Sequence, residues 1–448
     1  MEILKESLVD NSIVSSLVDI CQEKGENYWS FEGSFQRSGA HSLISYPAMM
    51  VPTLQGHLID LIKNEITVDR ILDPFVGSGT ILTESISRGI DFTGIDINPL
   101  AILACRVKSG NYFVNSLNDK YSSLTYKIDK SRKRKFRDFP GVGKWFHPKT
   151  AIELEQIAQS IREESALWAR RVFWLALGRT VRQVSNSRLS TYKLHKRESE
   201  KLEQYRCAKD EFHKQCKSVL TSMEEEYVSH KALDVIYKGR YNATVNTHIG
   251  DVCDVLNSLD KKFDLIMTSP PYGDNQTTIP YGQFSYLPLH WIDLSDIDEN
   301  LDSSVIGSTA AIDSKSLGGS LRQAIEKSEY LADNYHSAKV VLDKLEKKSN
   351  GLKRFSTFFF DLEKAIINLC AITADGGYHS WTVGNRRINN IPIPMNEILA
   401  EMLEANGISS VATINREIKH KKMAFRNSIA DTMSRETIVI AQKASVNE

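Results

Sequence analysis

Hydrophobic residues form short runs between polar and glycine-containing segments near the start of the chain, and this pattern predicts alternating strands and helices. A strand at 68–75 precedes a helix from Thr80 to Arg88. A second strand at 92–96 precedes a helix that begins at Asn98-Pro99. Strand–helix units with short connections are typical of a parallel sheet, so we expect an α/β fold.

The same alternation resumes after residue 245 and continues almost to the end of the chain. It predicts strands at 246–251, 263–268, 377–383, 411–418 and 437–442, and helices at 355–373 and 396–406. The strand at 263–268 is apolar throughout except for Asp264 and Thr268, which indicates a strand that is buried on both faces of the sheet.

Two long segments interrupt the alternation, and we interpret both as insertions. Residues 110–240 show helical patterns from Pro148 to about Val184 and from Ser199 to about Ile236, whereas 293–354 is acidic at first and then helical. The chain is therefore divided into an N-terminal segment with one half of the α/β domain, a helical insertion, the other half of that domain, a second insertion and the closing part of the sheet, at 1–109, 110–240, 241–292, 293–354 and 355–448.

Composition narrows the class of protein but not its partner. The 448 residues are 41% hydrophobic and 25% charged, which is ordinary for a globular protein, and 56 basic residues balance 56 acidic ones. Any argument for nucleic acid binding must therefore come from local patches. The six cysteines form no Cys-x-x-Cys pair, and no histidine cluster has metal-ligand spacing, so we expect reduced thiols and no metal. The chain shows neither a signal peptide nor a membrane span, which predicts a cytoplasmic protein.

A glycine loop separates the first predicted strand from its helix. Residues 73–80 read Asp-Pro-Phe-Val-Gly-Ser-Gly-Thr. Glycines allow a tight turn or the close approach of a ligand, and the following helix offers unpaired N–H groups, although a plain turn has the same sequence features. Asp96, at the end of the next strand, suits ribose hydroxyls. Asp73 would repel a pyrophosphate and suits an amine-bearing ligand, which favours S-adenosylmethionine over NAD.

A Ser-Pro-Pro-Tyr tetrapeptide directly follows the strand at 263–268. Pro270 and Pro271 stiffen the turn at the carboxyl end of a strand, where open α/β sheets bind their ligands. An exocyclic base amine is a poor nucleophile because its lone pair is delocalised into the ring. Ser269 Oγ and the Pro270 carbonyl can accept its hydrogens, and Tyr272 can stack on a base flipped out of the duplex. A rigid loop without a catalytic role is the alternative interpretation.

Together these segments resemble the motifs of the prokaryotic amino-methylating DNA methyltransferases. The glycine loop, with Glu84, Gly89 and the segment 94–101, is similar to their cofactor motif, and the tetrapeptide is similar to their catalytic motif. The resemblance covers 41–108, 245–292 and 355–443. It implies a Rossmann-like S-adenosylmethionine-dependent methyltransferase sheet, mostly parallel with an antiparallel C-terminal hairpin, that carries helical insertions in this chain.

The same resemblance implies the roles of individual residues. Asp73, Gly77 and Gly79 would hold the methionine moiety, Asp96 the ribose and Asp251 the adenine amino group. The segment beginning Tyr46-Pro47 resembles the one that these enzymes place over the cofactor. The full candidate sets are Tyr46, Pro47, Asp73, Phe75, Gly77, Gly79, Thr80, Asp96, Asn98 and Asp251 for the cofactor, and Ser269, Pro270, Pro271 and Tyr272 for catalysis.

Serine in the first position of the tetrapeptide is found in many cytosine-N4 enzymes, whereas aspartate is found in many adenine-N6 enzymes. We therefore expect cytosine N4 as the target, with adenine N6 as the alternative, because the order of motifs here differs from that of many cytosine-N4 enzymes. The aromatic residues of 281–286 could contact the flipped base or pack in the core.

Local basic segments predict where double-stranded DNA would lie. The densest run, 127–137, and the segment 179–197 suit phosphate or base contacts, although solvated polar surfaces have the same composition. Their position between the two motifs predicts a target-recognition region at 110–240. Candidate DNA-binding residues are Arg132, Lys133, Arg134, Arg188, Lys193 and Arg386, with further charge from Arg387 and 419–422 near the expected active face.

These features predict a site-specific DNA methyltransferase without a metal, in a restriction-modification system whose cognate endonuclease acts separately. An RNA base methyltransferase is an alternative, but no RNA-binding module is recognisable in the sequence. A DNA-binding protein with a relic cofactor pocket is a second alternative, and the intact motifs argue against it.

Overall fold

A twisted sheet with helices on both faces forms the centre of the protein. The computed structural model describes residues 3–4, 12–25, 28–31, 37–198, 202, 204–273, 278–384, 386–418 and 435–445. The strands are β1 (Ile3–Leu4), β2 (Arg70–Asp73), β3 (Asp91–Asp96), β4 (Ile236–Tyr237), β5 (Arg240–Tyr241), β6 (Val245–Ile249), β7 (Phe263–Thr268), β8 (Thr373–Gly384), β9 (Arg386–Ile388), β10 (Ile391–Ile393), β11 (Ile408–Glu417) and β12 (Arg435–Lys443).

Helices connect most of the strands and also occur in both segments predicted to be insertions. They are α1 (Ser12–Lys24), α2 (Pro52–Lys63), α3 (Thr80–Ile86), α4 (Pro99–Lys108), α5 (Val114–Lys130), α6 (Val142–Trp145), α7 (Pro148–Arg162), α8 (Leu167–Val184), α9 (Ala208–Ala232), α10 (Val252–Leu256), α11 (Tyr281–Trp291), α12 (Leu294–Ile297), α13 (Ala324–Asn334), α14 (His336–Leu342), α15 (Asn350–Ile372) and α16 (Met395–Glu404). None of the helices in the described ranges is long and apolar enough to span a membrane.

The sheet has the strand order β1-β11-β12-β8-β7-β2-β3-β6. The five strands β8, β7, β2, β3 and β6, which are adjacent in this order, run parallel to one another. Strand β12 runs antiparallel to both β8 and β11. This arrangement confirms the predicted fold, a mostly parallel Rossmann-like methyltransferase sheet with an antiparallel C-terminal hairpin. The chain leaves β2 toward β3 and β6 on one side and returns at β7 on the other. The carboxyl ends of β2 and β7 thus form the switch point where such sheets bind ligands.

The two faces of the central strands bury different clusters of apolar side chains. Ile71 and Leu265 belong to the cluster that includes α4, α8 and α11, whereas their neighbours Leu72 and Ile266 belong to the cluster that includes α15 and α16. Successive residues of a strand point to opposite faces, and both faces are covered here. This double coverage explains why β7 is almost continuously apolar in sequence.

The first insertion is helical, but its first predicted helix is in fact two. The pattern from Pro148 to Val184 divides into α7 and α8, which are separated at 163–166, where Glu164 Oε1 accepts a hydrogen bond from Ala166 N at 3.0 Å. The second predicted helix starts at Ala208 instead of Ser199, and residues 199–201 and 203 lie outside the described ranges. Helix α8 packs against α4 and α11, so the insertion contacts the α/β domain directly.

Candidate active site

An open cleft lies at the carboxyl ends of the parallel strands, and its volume is about 1010 Å³ when the solvent-filled space at its mouth is included. The chain segments that follow β2, β3, β6 and β7 all contribute to it. Its lining consists of residues 46–50, 74–78, Thr80, 96–98, 250–252, 269–272, Thr278, Ile279, Tyr281, Ile312 and 315–317. The cleft therefore forms at the switch point of the sheet.

Most of the residues singled out in the sequence line this one cleft. The catalytic candidates at 269–272 all do so, and eight cofactor candidates do so as well: Tyr46, Pro47, Phe75, Gly77, Thr80, Asp96, Asn98 and Asp251. The structure places Asp73 and Gly79 outside the lining. Asp73 ends β2 and is fully buried beneath the loop, and Gly79 is the N-cap of α3. The ligand contacts of all these residues stay predictions.

Asp96 holds the glycine loop in its shape. Its Oδ2 accepts a hydrogen bond from Gly77 N at 2.8 Å, and its Oδ1 accepts one from Asn98 N at 2.8 Å. Gly77 has a φ of +50° and Gly79 a φ of +75°, a left-handed conformation that glycine adopts without strain. Burial raises the pKa of Asp96 to about 6, and backbone N–H groups oppose that rise. The acid therefore ties the end of β3 to the loop that follows β2.

Asp73 connects the glycine loop with the strand that carries the tetrapeptide. Its Oδ1 accepts hydrogen bonds from Thr268 Oγ1 at 2.6 Å and from Phe75 N at 3.1 Å. Its Oδ2 is buried without a hydrogen-bond partner among the described residues. Burial raises the pKa of this carboxyl to about 7, against those hydrogen bonds. A buried carboxylate oxygen that lacks a partner suits a ligand with a cationic amine.

Asn98 positions an aromatic wall of the cleft. Its Nδ2 donates to Tyr46 Oη at 2.7 Å and to Ser285 Oγ at 2.8 Å, while its Oδ1 caps α4. The Tyr46 ring stacks on Tyr281 at 5.5 Å and meets the edge of Phe284 at 5.4 Å. The aromatic residues of 281–286 therefore differ in role, because Tyr281 lines the cleft whereas Phe284 is buried in the core.

The tetrapeptide is held by a chain of hydrogen bonds that reaches the C-terminal hairpin. Ser269 Oγ donates to Tyr272 Oη at 3.1 Å, and Tyr272 Oη donates to Glu436 Oε1 at 3.4 Å. Glu436 also forms an ion pair with Arg416, its cross-strand partner in β11, at 3.1 Å. Burial raises the pKa of Glu436, although Arg416 and Tyr272 favour its ionised form. Glu436 was not among the predicted site residues, since nothing local in the sequence connects it with Tyr272.

Arg386 supports the backbone of the same turn. Its Nη1 donates to the Tyr272 carbonyl at 3.3 Å. A Cβ atom on Gly273 would lie 1.1 Å from that nitrogen, and Gly273 has a φ of +122°. Glycine therefore suits the position after Tyr272: it adopts this φ without strain, and a larger residue would force the Arg386 guanidinium to move.

Neither Arg386 nor any of the other basic candidates in the described ranges belongs to the lining of the cleft. Arg132, Lys133 and Arg134 are exposed in the segment between α5 and α6. Arg188 is exposed in a turn where its Nε donates to the Lys196 carbonyl at 3.0 Å, and Lys193 is half-buried in the same turn. The candidates at 419–422 lie outside the described residues. No group of acidic, histidine or cysteine side chains in the described ranges could hold a metal ion.

Several residues that line the cleft were not predicted from the sequence to belong to the site. Met49 and Met50 follow the Tyr46-Pro47 segment, and four residues come from the second insertion, to which no motif assigned a role. These last four are Ile312, Lys315, Ser316 and Leu317. Only the path of the folded chain brings them to the cleft.

Comparison with known proteins supports a methyltransferase. No family model matches the chain. It is 29% identical to the type II methyltransferase M.MvaI of Kocuria varians over 451 residues, which covers 95% of each chain. It is also 24% identical to the type II methyltransferase M.MjaII of Methanocaldococcus jannaschii, over 56% of this chain and 61% of that protein.

Among solved structures, the rRNA methyltransferase aviRa from Streptomyces viridochromogenes aligns with 92% of this chain and 96% of its own, at 10% identity and a TM-score of 0.32. The chain is thus similar to a type II methyltransferase along nearly the whole of both chains, and this similarity, together with the sheet and the cleft, indicates a methyltransferase with S-adenosylmethionine as the methyl donor.

Proposed function

We propose that the protein is a site-specific DNA methyltransferase that methylates the exocyclic amine of a flipped base, with cytosine N4 as the favoured target. One observation carries the proposal: the glycine loop after β2 and the Ser269–Tyr272 turn after β7 open into one cleft. The two strands are parallel neighbours, so their carboxyl ends meet. Methyl transfer between a bound cofactor and a base requires such proximity.

The residues of the cleft suit S-adenosylmethionine. Among the lining residues, Asp96 offers a carboxylate to ribose hydroxyls. Asp73 lies beneath the loop and outside the lining, and its buried Oδ2 atom, which lacks a partner among the described residues, suits an ammonium group. Tyr46, Phe75 and Val76 add apolar walls. When bound, the cofactor supplies an electrophilic methyl group on its sulfonium sulfur.

The tetrapeptide is suited to make the amine more nucleophilic. Ser269 donates its hydroxyl hydrogen to Tyr272, so the lone pairs of Ser269 Oγ can accept a hydrogen bond from the base amine. The Pro270 carbonyl is a second acceptor at the same turn. Hydrogen bonds from the amine to these acceptors localise its lone pair on nitrogen, and the rigid turn fixes its direction.

Serine at position 269 favours cytosine N4 over adenine N6 by the resemblance stated above. The exposed basic residues of 132–135 and the turn at 187–197 would contact DNA phosphates, with Arg132, Lys133, Arg134, Arg188 and Lys193 as the cations. We further propose that the protein modifies DNA within a restriction-modification system, beside an endonuclease that acts separately.

The target base can be identified directly. The protein is incubated with S-adenosylmethionine that carries an isotopic methyl label, in parallel with unmethylated plasmid DNA and with RNA, and the labelled nucleosides are identified by mass spectrometry. We expect N4-methylcytosine from DNA and no label with Ser269→Ala. N6-methyladenine would reassign the base, and 5-methylcytosine would contradict amine chemistry altogether.

The same experiment separates the two other functions. Label that appears only in RNA nucleosides would replace DNA with RNA as the substrate. A protein that binds DNA and cofactor in calorimetric titrations but labels neither nucleic acid would be a non-catalytic binding protein, and the proposal would fail.

A further inference from the structure

Part of the second predicted insertion lines the cleft. We call residues 312–318 the strap. Its side chains line the cleft together with Asp96 and Asp251, and those that do so are Ile312, Lys315, Ser316 and Leu317. We infer that the strap is the outer wall of the subsite for an adenine nucleoside, the nucleoside part of S-adenosylmethionine. This inference rests on the proposed function, because it names a part of the same binding site.

One end of the strap is fixed to the start of α11. Asp313 is 2% exposed, and its Oδ1 accepts a hydrogen bond from Gly282 N at 3.0 Å. A Cβ atom on Gly282 would lie 2.8 Å from the Thr309 carbonyl oxygen, so the insertion touches the helix without intervening space. This contact places the strap beside Tyr281, which itself lines the cleft.

Contacts connect this end with the predicted ribose carboxylate. Tyr281 stacks on Tyr46, whose hydroxyl accepts a hydrogen bond from Asn98, and Asn98 N donates to Asp96. Burial raises the pKa of Tyr281, and the negative charges of Asp96 and Asp313 raise it further. Burial also raises the pKa of Tyr46, and the same two carboxylates raise it further. Both acids are therefore close to the aromatic wall, and the strap begins at the cofactor side of the cleft.

The other end of the strap is fixed to α15. Gly318 N donates to Asp361 Oδ2 at 2.9 Å, and Asp361 Oδ1 pairs with Lys327 Nζ at 3.2 Å. Gly318 has a φ of +70°, and a Cβ atom there would lie 3.0 Å from Phe358 Cα. Leu317 packs in the apolar cluster that also contains Phe358 and Val252.

Between its two ends the strap presents the chemistry that an adenine nucleoside needs. Ile312 is 2% exposed and Leu317 is 6% exposed, and both line the cleft. Ile97 and Val252 contribute further apolar surface from the segments after β3 and β6. An apolar slot with a few polar groups, here including Asp251, is how proteins hold planar ring systems.

Leu317→Ala tests the strap. Truncation of a buried leucine removes apolar contact with the nucleoside, so we expect the Kd for S-adenosylmethionine and for S-adenosylhomocysteine to rise about tenfold in calorimetric titrations without DNA. The KM for S-adenosylmethionine should rise by a similar factor. The matched control is Leu321→Ala, three residues beyond the strap and 38% exposed, which should leave both constants unchanged.

Gly282→Ala tests the opposite end, because its new methyl group displaces the Thr309 carbonyl and with it the strap. We expect weaker cofactor binding, with thermal unfolding followed by circular dichroism as the check on folding. The native protein gives a measurement that needs no variant. S-adenosylhomocysteine should slow hydrogen exchange of the backbone amides of 312–318 and leave those of 320–323 unchanged.

Unaltered exchange in the strap, or a Leu317→Ala variant that folds and binds cofactor normally, would overturn the inference. A fall in DNA affinity with normal cofactor affinity would make the strap a DNA-binding element instead and would equally overturn it. Because every binding measurement of the cofactor omits DNA, a protein that binds cofactor but methylates no DNA would refute the proposed function and leave the result on the strap intact.

Discussion

The hydroxyl of Tyr272 stands between the serine of the tetrapeptide and the C-terminal hairpin. It accepts from Ser269 and donates to Glu436, whose side chain is 17% exposed and pairs with Arg416. These bonds give the hydroxyl hydrogens one direction, from Ser269 to Glu436. The lone pairs of Ser269 are then kept for a base amine, so Glu436 is a positioning residue.

Glu436→Gln should therefore lower kcat by about tenfold, since a hydrogen bond to a charged acceptor is replaced by a weaker one. The Kd for S-adenosylmethionine should stay the same. Glu417→Gln, an exposed carboxylate on the same hairpin, is the control. In a double-mutant cycle with Tyr272→Phe, the two losses should be smaller together than their sum, and additive losses would contradict this role.

The carboxyl of Asp73 predicts a proton linkage to cofactor binding. Burial raises its pKa to about 7, so a fraction of the molecules carries this proton near neutral pH. An ammonium group nearby favours the ionised form and lowers that pKa. Binding near neutral pH should therefore release a fraction of a proton, and affinity should fall as the pH drops through the pKa of the free protein.

Calorimetry with S-adenosylhomocysteine in two buffers of different ionisation enthalpy measures the released proton. Asp73→Asn keeps the shape of the side chain but removes its titration, so the release should disappear and the affinity should fall. Proton uptake by the wild-type protein, or an unchanged release in the variant, would mean that the ammonium group binds elsewhere.

At the scale of the elements, the parallel pair β2 and β7 brings the two motifs together. Thr268, the last residue of β7, donates to Asp73, the last residue of β2. Arg386, the first residue of β9, supports the turn that follows β7 by donating a hydrogen bond to the Tyr272 carbonyl. The geometry of the tetrapeptide thus depends on contacts from β2, β9 and, through Glu436, β12.

Gly273→Ala should disturb this turn more than the fold. The new methyl group meets the Arg386 guanidinium, and alanine at a φ of +122° costs about 1–2 kcal/mol. We expect kcat to fall by about a hundredfold with thermal stability nearly retained, because small misplacements of reacting groups have large kinetic effects.

The double variant Gly273→Ala with Arg386→Ala separates the two causes. It restores space without restoring the conformational freedom of glycine. Activity equal to that of Arg386→Ala alone would assign the loss to the guanidinium contact, whereas activity well below that of Arg386→Ala would assign it to backbone strain. Full activity in the single variant would show that the turn tolerates displacement.

At the scale of the whole molecule, charge is distributed unevenly although the net charge is zero. The exposed segment with Arg132 and Arg134 lies in the first insertion, away from the lining of the cleft. Such cations would contact phosphates and orient a duplex without reading its sequence.

Arg132→Gln with Arg134→Gln should weaken binding to every DNA sequence alike. The slope of log affinity against log salt concentration is negative, and it should become less steep by about 0.9 for each phosphate that the protein no longer neutralises. Fluorescence anisotropy with specific and unrelated duplexes measures both effects, and cofactor affinity serves as the control. Weaker binding to one sequence alone would instead indicate that these residues read bases.

The sequence alone was sufficient for the α/β pattern, for strand β7 at its observed bounds, and for the start of α4 behind Asn98. It was sufficient for these because each depends on local chemistry: apolar runs, a capping side chain and glycine or proline turns. Most of the cleft followed as well, since motifs at the carboxyl ends of neighbouring parallel strands must meet. The gap between α7 and α8 was missed because both helices continue one apolar periodicity.

Only the tertiary structure decided which distant residues complete the site. Glu436 reaches Tyr272 through the register of β11, β12 and β8, and the strap reaches the cleft because both of its ends are fixed to other helices. Asp73 is withdrawn from the cleft surface by its bond to Thr268. These placements depend on pairings between residues far apart in the chain, and local propensity contains no information about such pairings.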